Sequence, residues 1–303
     1  MALITLLLAC LLSWSVPDLP RQERSVFVTA SFLGKNRLFL ENLSREEIRV
    51  FENGQPRAVE FFAGSEVPAA YGLIFDRAIL PEPSDVALPS PNGIPSSMAA
   101  TNVAYQLVDQ GLKGQVGWVA TYDKGMRLAL DFSQDEGRVK DVVQRLRGQR
   151  TLEESSLYAS LFAAVKKMSE RNEKRRVLVL FLDTLDIETG GKLKPLKNLL
   201  SASNVELFVA GFASSRLGTG HGLPPAQDEA SLRELAGATA GGAYFSMTEG
   251  IEGLGRRIAS QIRTFYTIGF QSDATSDHPA SLKVECTIPG TKVTTHPVVP
   301  TFR

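Results

Sequence analysis

Val177 to Leu182 is an unbroken run of six apolar residues, set between Arg175-Arg176 and Asp183. An amphipathic helix or a half-exposed strand would place polar residues at its solvent-facing period. A run with none requires a strand buried on both faces. Such a strand needs helices packed above and below it. The surrounding sequence supplies them. Ala70 to Phe75 and Val205 to Phe212 are further apolar runs, and Ala243 to Ser246 is a shorter one. Helical spacing appears at Val103, Leu107 and Val108 within Ala99 to Leu112, and at Val139, Val142, Val143 and Leu146 before Gly148. It recurs at Leu157, Leu161, Phe162 and Val165, across Leu193 to Leu200, and at Leu232, Leu235 and Ala236, where the Gly241-Gly242 pair is expected to stop the helix. Ile251, Leu254, Ile258 and Ile262 form a last stripe. Val116 to Tyr122 and Met126 to Phe132 are joined by the tight turn Asp123-Lys124-Gly125, which predicts one antiparallel hairpin. Residues 81–97, rich in Pro and Ser, read as a loop. Residues 67–263 therefore predict an α/β domain with a doubly wound, mainly parallel sheet, which binds ligands at the C-terminal ends of its strands.

The flanks are β. In residues 25–65, Val26, Val28 and Ala30 alternate with more polar neighbours. Ile48 to Glu52 and Ala58 to Phe62 are strand candidates on either side of Asn53-Gly54, a hairpin signal because both residues tolerate positive φ. Ser44-Arg45-Glu46-Glu47 has capping-box spacing. In residues 264–303, Phe265 to Phe270, Leu282 to Ile288 and Lys292 to Val299 are strand candidates. Neither flank has enough strands to be stable alone, so the two are expected to meet as one small β-sandwich.

Ala2 to Leu12 is almost entirely apolar, and Ser13-Trp14-Ser15 places small residues where a signal peptidase reads. Residues 1–15 therefore read as a signal peptide, although no Lys or Arg precedes the apolar run. An N-terminal core helix is the plainer alternative. Leu7-Leu8-Ala9-Cys10 also has the outline of a lipoprotein box, but little apolar sequence precedes the cysteine. The expected location is exported, periplasmic or extracellular. No stretch is long enough for a transmembrane helix. Cleavage would leave Cys286 as the sole cysteine, in the apolar alternation Leu282, Val284, Cys286, Ile288, where it reads as a core thiol. Lys+Arg and Asp+Glu both number 33, a balance that argues against bulk nucleic-acid binding.

Four segments together resemble the von Willebrand factor A (VWFA)-related family of exported bacterial proteins. Leu43 to Pro56 is similar to the family's N-terminal L-x-x-E-D-F-x-V-x-E-D-G-x-P segment, and Ser155 to Ala159 to its T-A-L-Y-D helix start. Val177 to Asp183 resembles its strand ending in Ser-Asp-Gly. Leu232 to Phe245 resembles L-x-x-L-A-x-x-T-G-G-x-Y-F, followed by a helix and the Tyr266 to Phe270 strand. The resemblance implies a von Willebrand A-type fold. Many such domains hold a divalent cation at a metal-ion-dependent adhesion site built from Asp-x-Ser-x-Ser, a Thr and a later Asp, because a hard cation takes oxygen ligands in octahedral array. Asp76 matches the first Asp and Asp183 the last, with Asp186 close behind. Ser155 or Ser156 could stand for the Thr. The two serine positions are Ala78 and Leu80, which cannot ligate. Ser96-Ser97, beyond the Pro-rich stretch, could be displaced remnants of them. Arg77 could pair with Asp76 or Asp183 in the cation's place, or point to solvent.

These residues lead to a non-catalytic, metal-independent exported protein with no cofactor, whose ligand face is Asp76, Arg77, Ser155, Ser156, Asp183 and Asp186 and whose partner is a protein or cell-surface ligand. One alternative is a Mg²⁺-dependent adhesin using Asp76, Ser155 and Asp183. Another is a metal-dependent hydrolase, which would need more His or Glu ligands near those aspartates. Gly218 to Gly222 is not a phosphate loop, since no Lys-Ser/Thr follows. His221, His278 and His296 are far apart in sequence and read as structural or exposed.

Overall fold

The computed structural model describes residues 23–79, 96–147, 156–183, 193–212, 225–246 and 250–301. The signal segment, most of the Pro-rich stretch and the Gly218 to Gly222 loop with His221 lie outside them.

The central sheet has six strands in the order β10-β9-β8-β5-β6-β7. They are β5 (Ala69–Asp76), β6 (Val116–Tyr122), β7 (Met126–Ser133), β8 (Arg175–Asp183), β9 (Glu206–Phe212) and β10 (Gly242–Phe245). All neighbours are parallel except β7, which turns back on β6 as the hairpin spacing predicts. Every residue of β5 is buried, as a strand covered on both sides demands. Tyr71, Leu73 and Phe75 face one helical layer, and Ala70 and Ile74 face the other. The first layer holds α1 (Ser96–Gln106), α2 (Glu136–Leu146) and α6 (Ile251–Arg263). The second holds α3 (Leu157–Met168), α4 (Leu193–Ala202) and α5 (Pro225–Gly237). Phe75 stacks on Phe181 of the neighbouring strand at 4.4 Å between ring centroids, which locks β5 against β8. No helix among the described residues is long and apolar enough to cross a membrane.

The flanks form the expected sandwich. One sheet has the order β13-β1-β11-β4 and the other β12-β2-β3. The strands are β1 (Arg24–Leu33), β2 (Ile48–Glu52), β3 (Gln55–Arg57), β4 (Phe61–Ala63), β11 (Tyr266–Ser272), β12 (Leu282–Cys286) and β13 (Lys292–Thr295). Val26, Val28, Ala30 and Phe32 from one sheet and Ile48, Val50, Leu282 and Val284 from the other close a separate core. Cys286 is half-buried against it. The Ser44 capping box is present, with the Ser44 N–H donating to the Glu47 carboxylate at 2.7 Å.

Three local expectations need correction. The strand expected at Ala58 to Phe62 is split. Asn53 and Gly54 both have positive φ (49° and 79°), so the turn is two residues long and pairing restarts at Gln55. The chain then crosses between sheets, and Phe61 to Ala63 pairs with β11. Second, α5 ends at Gly237, not at Gly241-Gly242. The intervening turn is closed by Thr239, whose hydroxyl accepts from the Leu207 and Gly241 N–H groups, each at 3.0 Å, and donates to the Ala236 carbonyl at 2.8 Å. Third, Phe162 is exposed on the outer face of α3.

Candidate functional site

Parallel strands carry their C-terminal ends to one edge of the sheet, so whatever follows β5, β6 and β8 converges there. Three adjacent strands each run into an aspartate: Asp76 ends β5, Asp123 follows β6, and Asp183 ends β8. Asp76 and Tyr122 are register partners. Asp76 is buried, and the Tyr122 hydroxyl donates to its Oδ2 at 3.3 Å. The sequence reading placed Asp76 and Asp183 at this edge, and the strands deliver both there.

Asp123 is the residue that sequence reasoning missed. It lies in the tight turn Asp123-Lys124-Gly125, yet its side chain is only 2% exposed. Two guanidinium groups converge on a single carboxylate oxygen. Arg77 Nη1 lies 2.9 Å from Asp123 Oδ2, and Arg127 Nη2 lies 3.0 Å from the same atom. Arg77 opens the single helical turn that leaves β5, and Arg127 is the second residue of β7. The hairpin turn brings Arg127 back over Asp123. The Asp123 carbonyl accepts from Ser156 N–H at 2.7 Å, which ties the start of α3 to the same corner. A signal for Asp123 was present in the sequence: the pattern of an apolar strand ending in Asp occurs at β5, β6 and β8 alike.

Arg77 is 20% exposed and paired, so it does not simply point to solvent, and Asp123 is a partner the sequence reading did not name. Ser156 caps α3, its Oγ accepting from Ala159 N–H at 3.4 Å. Ser97 is buried in the first turn of α1, where its carbonyl accepts from the Thr101 hydroxyl at 2.9 Å. Ser155, Asp186 and Leu80 lie outside the described residues.

Among the described residues, few side chains at this edge are oxygen donors for a hard divalent cation. Such an ion needs several oxygen ligands. Ala78 offers none, Ser156 is engaged as a cap, and the buried Asp123 carboxylate already faces two positive groups. Among the described residues, no group of three or more His, Cys, Asp or Glu side chains is placed to hold a metal.

No sequence-family model matches the chain, and no curated protein sequence does. Solved structures resemble the chain at TM-scores below 0.5. A von Willebrand factor type A protein from Catenulispora acidiphila has a TM-score of 0.47 at 12% identity, covering 93% of this chain and 76% of that one. An aerotolerance-related membrane protein from Bacteroides fragilis has a TM-score of 0.48 at 14% identity, covering 64% and 98%. Proximal thread matrix protein 1 from the mussel byssus, with a zinc-occupied MIDAS motif, has a TM-score of 0.49 at 13% identity, covering 70% and 50%.

Proposed function

We propose that this chain, whose doubly wound α/β domain resembles the von Willebrand factor A type, is a non-catalytic, metal-independent interaction protein, exported to the periplasm or cell exterior, that binds a protein or cell-surface ligand at the C-terminal edge of its central sheet. One observation carries this reading: Arg77 and Arg127 both engage the buried Asp123 carboxylate beside Asp76. A buried carboxylate is stabilised by positive charge beside it. Arginine supplies that charge to Asp123 as part of the chain, which supports a reading of the edge that needs no bound ion. Guanidinium also suits the task because it stays charged and offers several donors in one plane.

Isothermal titration of Mg²⁺ and Mn²⁺ into the chain tests metal independence, with Asp183→Ala as the control. The expected result is no saturable heat, and a melting temperature unmoved by Mg²⁺ or EDTA, since any ligand of the native state raises it. Saturable binding that Asp183→Ala abolishes would sink the proposal and restore the adhesin built on Asp76, Ser155 and Asp183.

A second variant probes the arginines. Arg77→Ala leaves Asp123 with the largely exposed Arg127 as its ion-pair partner. Removing one partner of a mostly buried pair costs more than removing a surface charge, here about 1–2 kcal/mol. Urea denaturation checks this. A loss equal to that of the surface control Arg256→Ala, whose side chain is 64% exposed, counts against a role for Arg77 at this edge.

A further inference from the structure

The base of the α/β domain rests on the outer face of the β13-β1-β11-β4 sheet, and the contact is polar at its centre. Thr29 of β1 and Thr267 of β11 are register partners on that face, 1% and 0% exposed. Thr295 ends β13 opposite Ala30, so the next residue, His296, takes the register position beside Thr29, and it is 0% exposed. From the α/β side come Arg175 and Glu206, the first residues of β8 and β9, both buried.

Seven polar side-chain atoms of these five residues have no protein hydrogen-bond partner: Thr29 Oγ1, Thr267 Oγ1, both Glu206 carboxyl oxygens, Arg175 Nε and both ring nitrogens of His296. Arg175 Nε and Glu206 Oε1 face each other at 4.0 Å, too far for a direct hydrogen bond. Folded proteins leave few such atoms, because each one buried dry forfeits its hydrogen bonds to water. So many in one layer is the signature of internal water, which bonds two to four polar groups at once.

The surroundings hold this layer in place. Arg175 Nη2 donates to the Ile262 carbonyl at 2.8 Å, and its guanidinium lies over the Phe265 ring. Lys174 Nζ sits 4.4 Å and 4.2 Å from the ring centroids of Phe27 and Phe61 on the sandwich. Gln261 of α6 reaches the Ser31 hydroxyl of β1 at 3.4 Å.

We infer that the interface between the α/β domain and the sandwich is a buried hydration site, in which ordered water bridges Glu206 and Arg175 to Thr29, Thr267 and His296. Water is the ligand this chemistry selects, because the layer offers donors and acceptors of both charge signs, which a bare cation or anion would find half repulsive. The modules are then joined through water, not through direct side-chain bonds.

A crystal structure of the full chain at a resolution that places ordered water, together with the Thr29→Val/Thr267→Val variant, tests this. Valine keeps the branched shape and removes both hydroxyls. In a hydrated layer the variant strands water and lowers the melting temperature by at least about 2–4 °C. In a dry layer it removes two unpartnered hydroxyls and raises it. Ordered water within hydrogen-bond reach of Glu206 and both threonines, with a lowered melting temperature, is the expected result. A layer without ordered water overturns the inference, and so does a variant at least as stable as the parent.

Discussion

Gly241→Ala destabilises the protein by about 3 kcal/mol, the upper range for forcing extra volume into a packed interior. A methyl group there would stand 1.9 Å from the Leu207 carbonyl oxygen and 2.5 Å from its carbon. Both are backbone atoms of β9, the strand that β10 must pair with, so neither can step aside without breaking the ladder. Thr239 sets this proximity by holding the N–H groups of Leu207 and Gly241 on one hydroxyl. Gly237→Ala is the matched control, since nothing lies within 4 Å of the added atom and α5 reaches that residue. It is expected to leave stability unchanged or raise it by up to about 1 kcal/mol through helix propensity. Urea denaturation of both variants checks the contrast, and equal losses would refute the close-approach account.

The same region shows how far the sequence could be read. Period and run length identify β5, β8 and β9, because a strand buried on both faces leaves no other pattern. The Gly241-Gly242 pair was equally visible, but glycine marks a helix stop, a turn or a close approach with the same letter. Only the position of Leu207 decides which. The Asn53-Gly54 turn was legible for the opposite reason, since a two-residue turn acts locally. Where the following strand went was not, because a crossing between sheets is set by distant partners on β11. At the strand-end edge the positions of Asp76, Arg77 and Asp183 were readable from order along the chain. The engagement of Asp123 was not, because it depends on Arg127 returning along an antiparallel hairpin.

Stability falls as the pH drops from about 6.5 to about 4, and His296 is responsible. Its imidazole is fully buried, and burial alone pushes its pKa from 6.5 down to about 4. The folded protein therefore keeps it neutral while the unfolded chain takes up a proton from pH 6.5 downward. Protons bound by the unfolded state pull the equilibrium towards it, so the contribution is complete above the unfolded value and gone below the folded one. A shift of that size corresponds to about 3 kcal/mol. Glu206 acts in the other direction, because burial raises its pKa, with the Arg175 charge opposing the rise. It weakens the fold as pH climbs above the ordinary carboxylate range, so it partly masks the His296 effect in the parent protein. The difference between parent and His296→Asn, measured by urea denaturation at pH 7 and pH 4, isolates the histidine. The expected outcome is that the variant gains on the parent as the pH falls. Parallel pH profiles for the two proteins would show that His296 is not held neutral.

The strand order of the sandwich also governs when the protein can become a protein. β1 lies between β11 and β13, so both its edges wait for partners that begin at Tyr266 and Lys292. On a chain made from its N-terminus, the first strand is among the last to find its neighbours. Contacts of such wide sequence separation form slowly, and an unpaired strand edge is prone to aggregate in the meantime. The α/β domain can close around β5 and β8 during that interval, leaving the first strand dangling. A chain that has not yet reached β11 and β13 is therefore its most vulnerable form, and anything that shields the unpaired β1 until they are made protects the yield of this molecule more than added stability in its centre would.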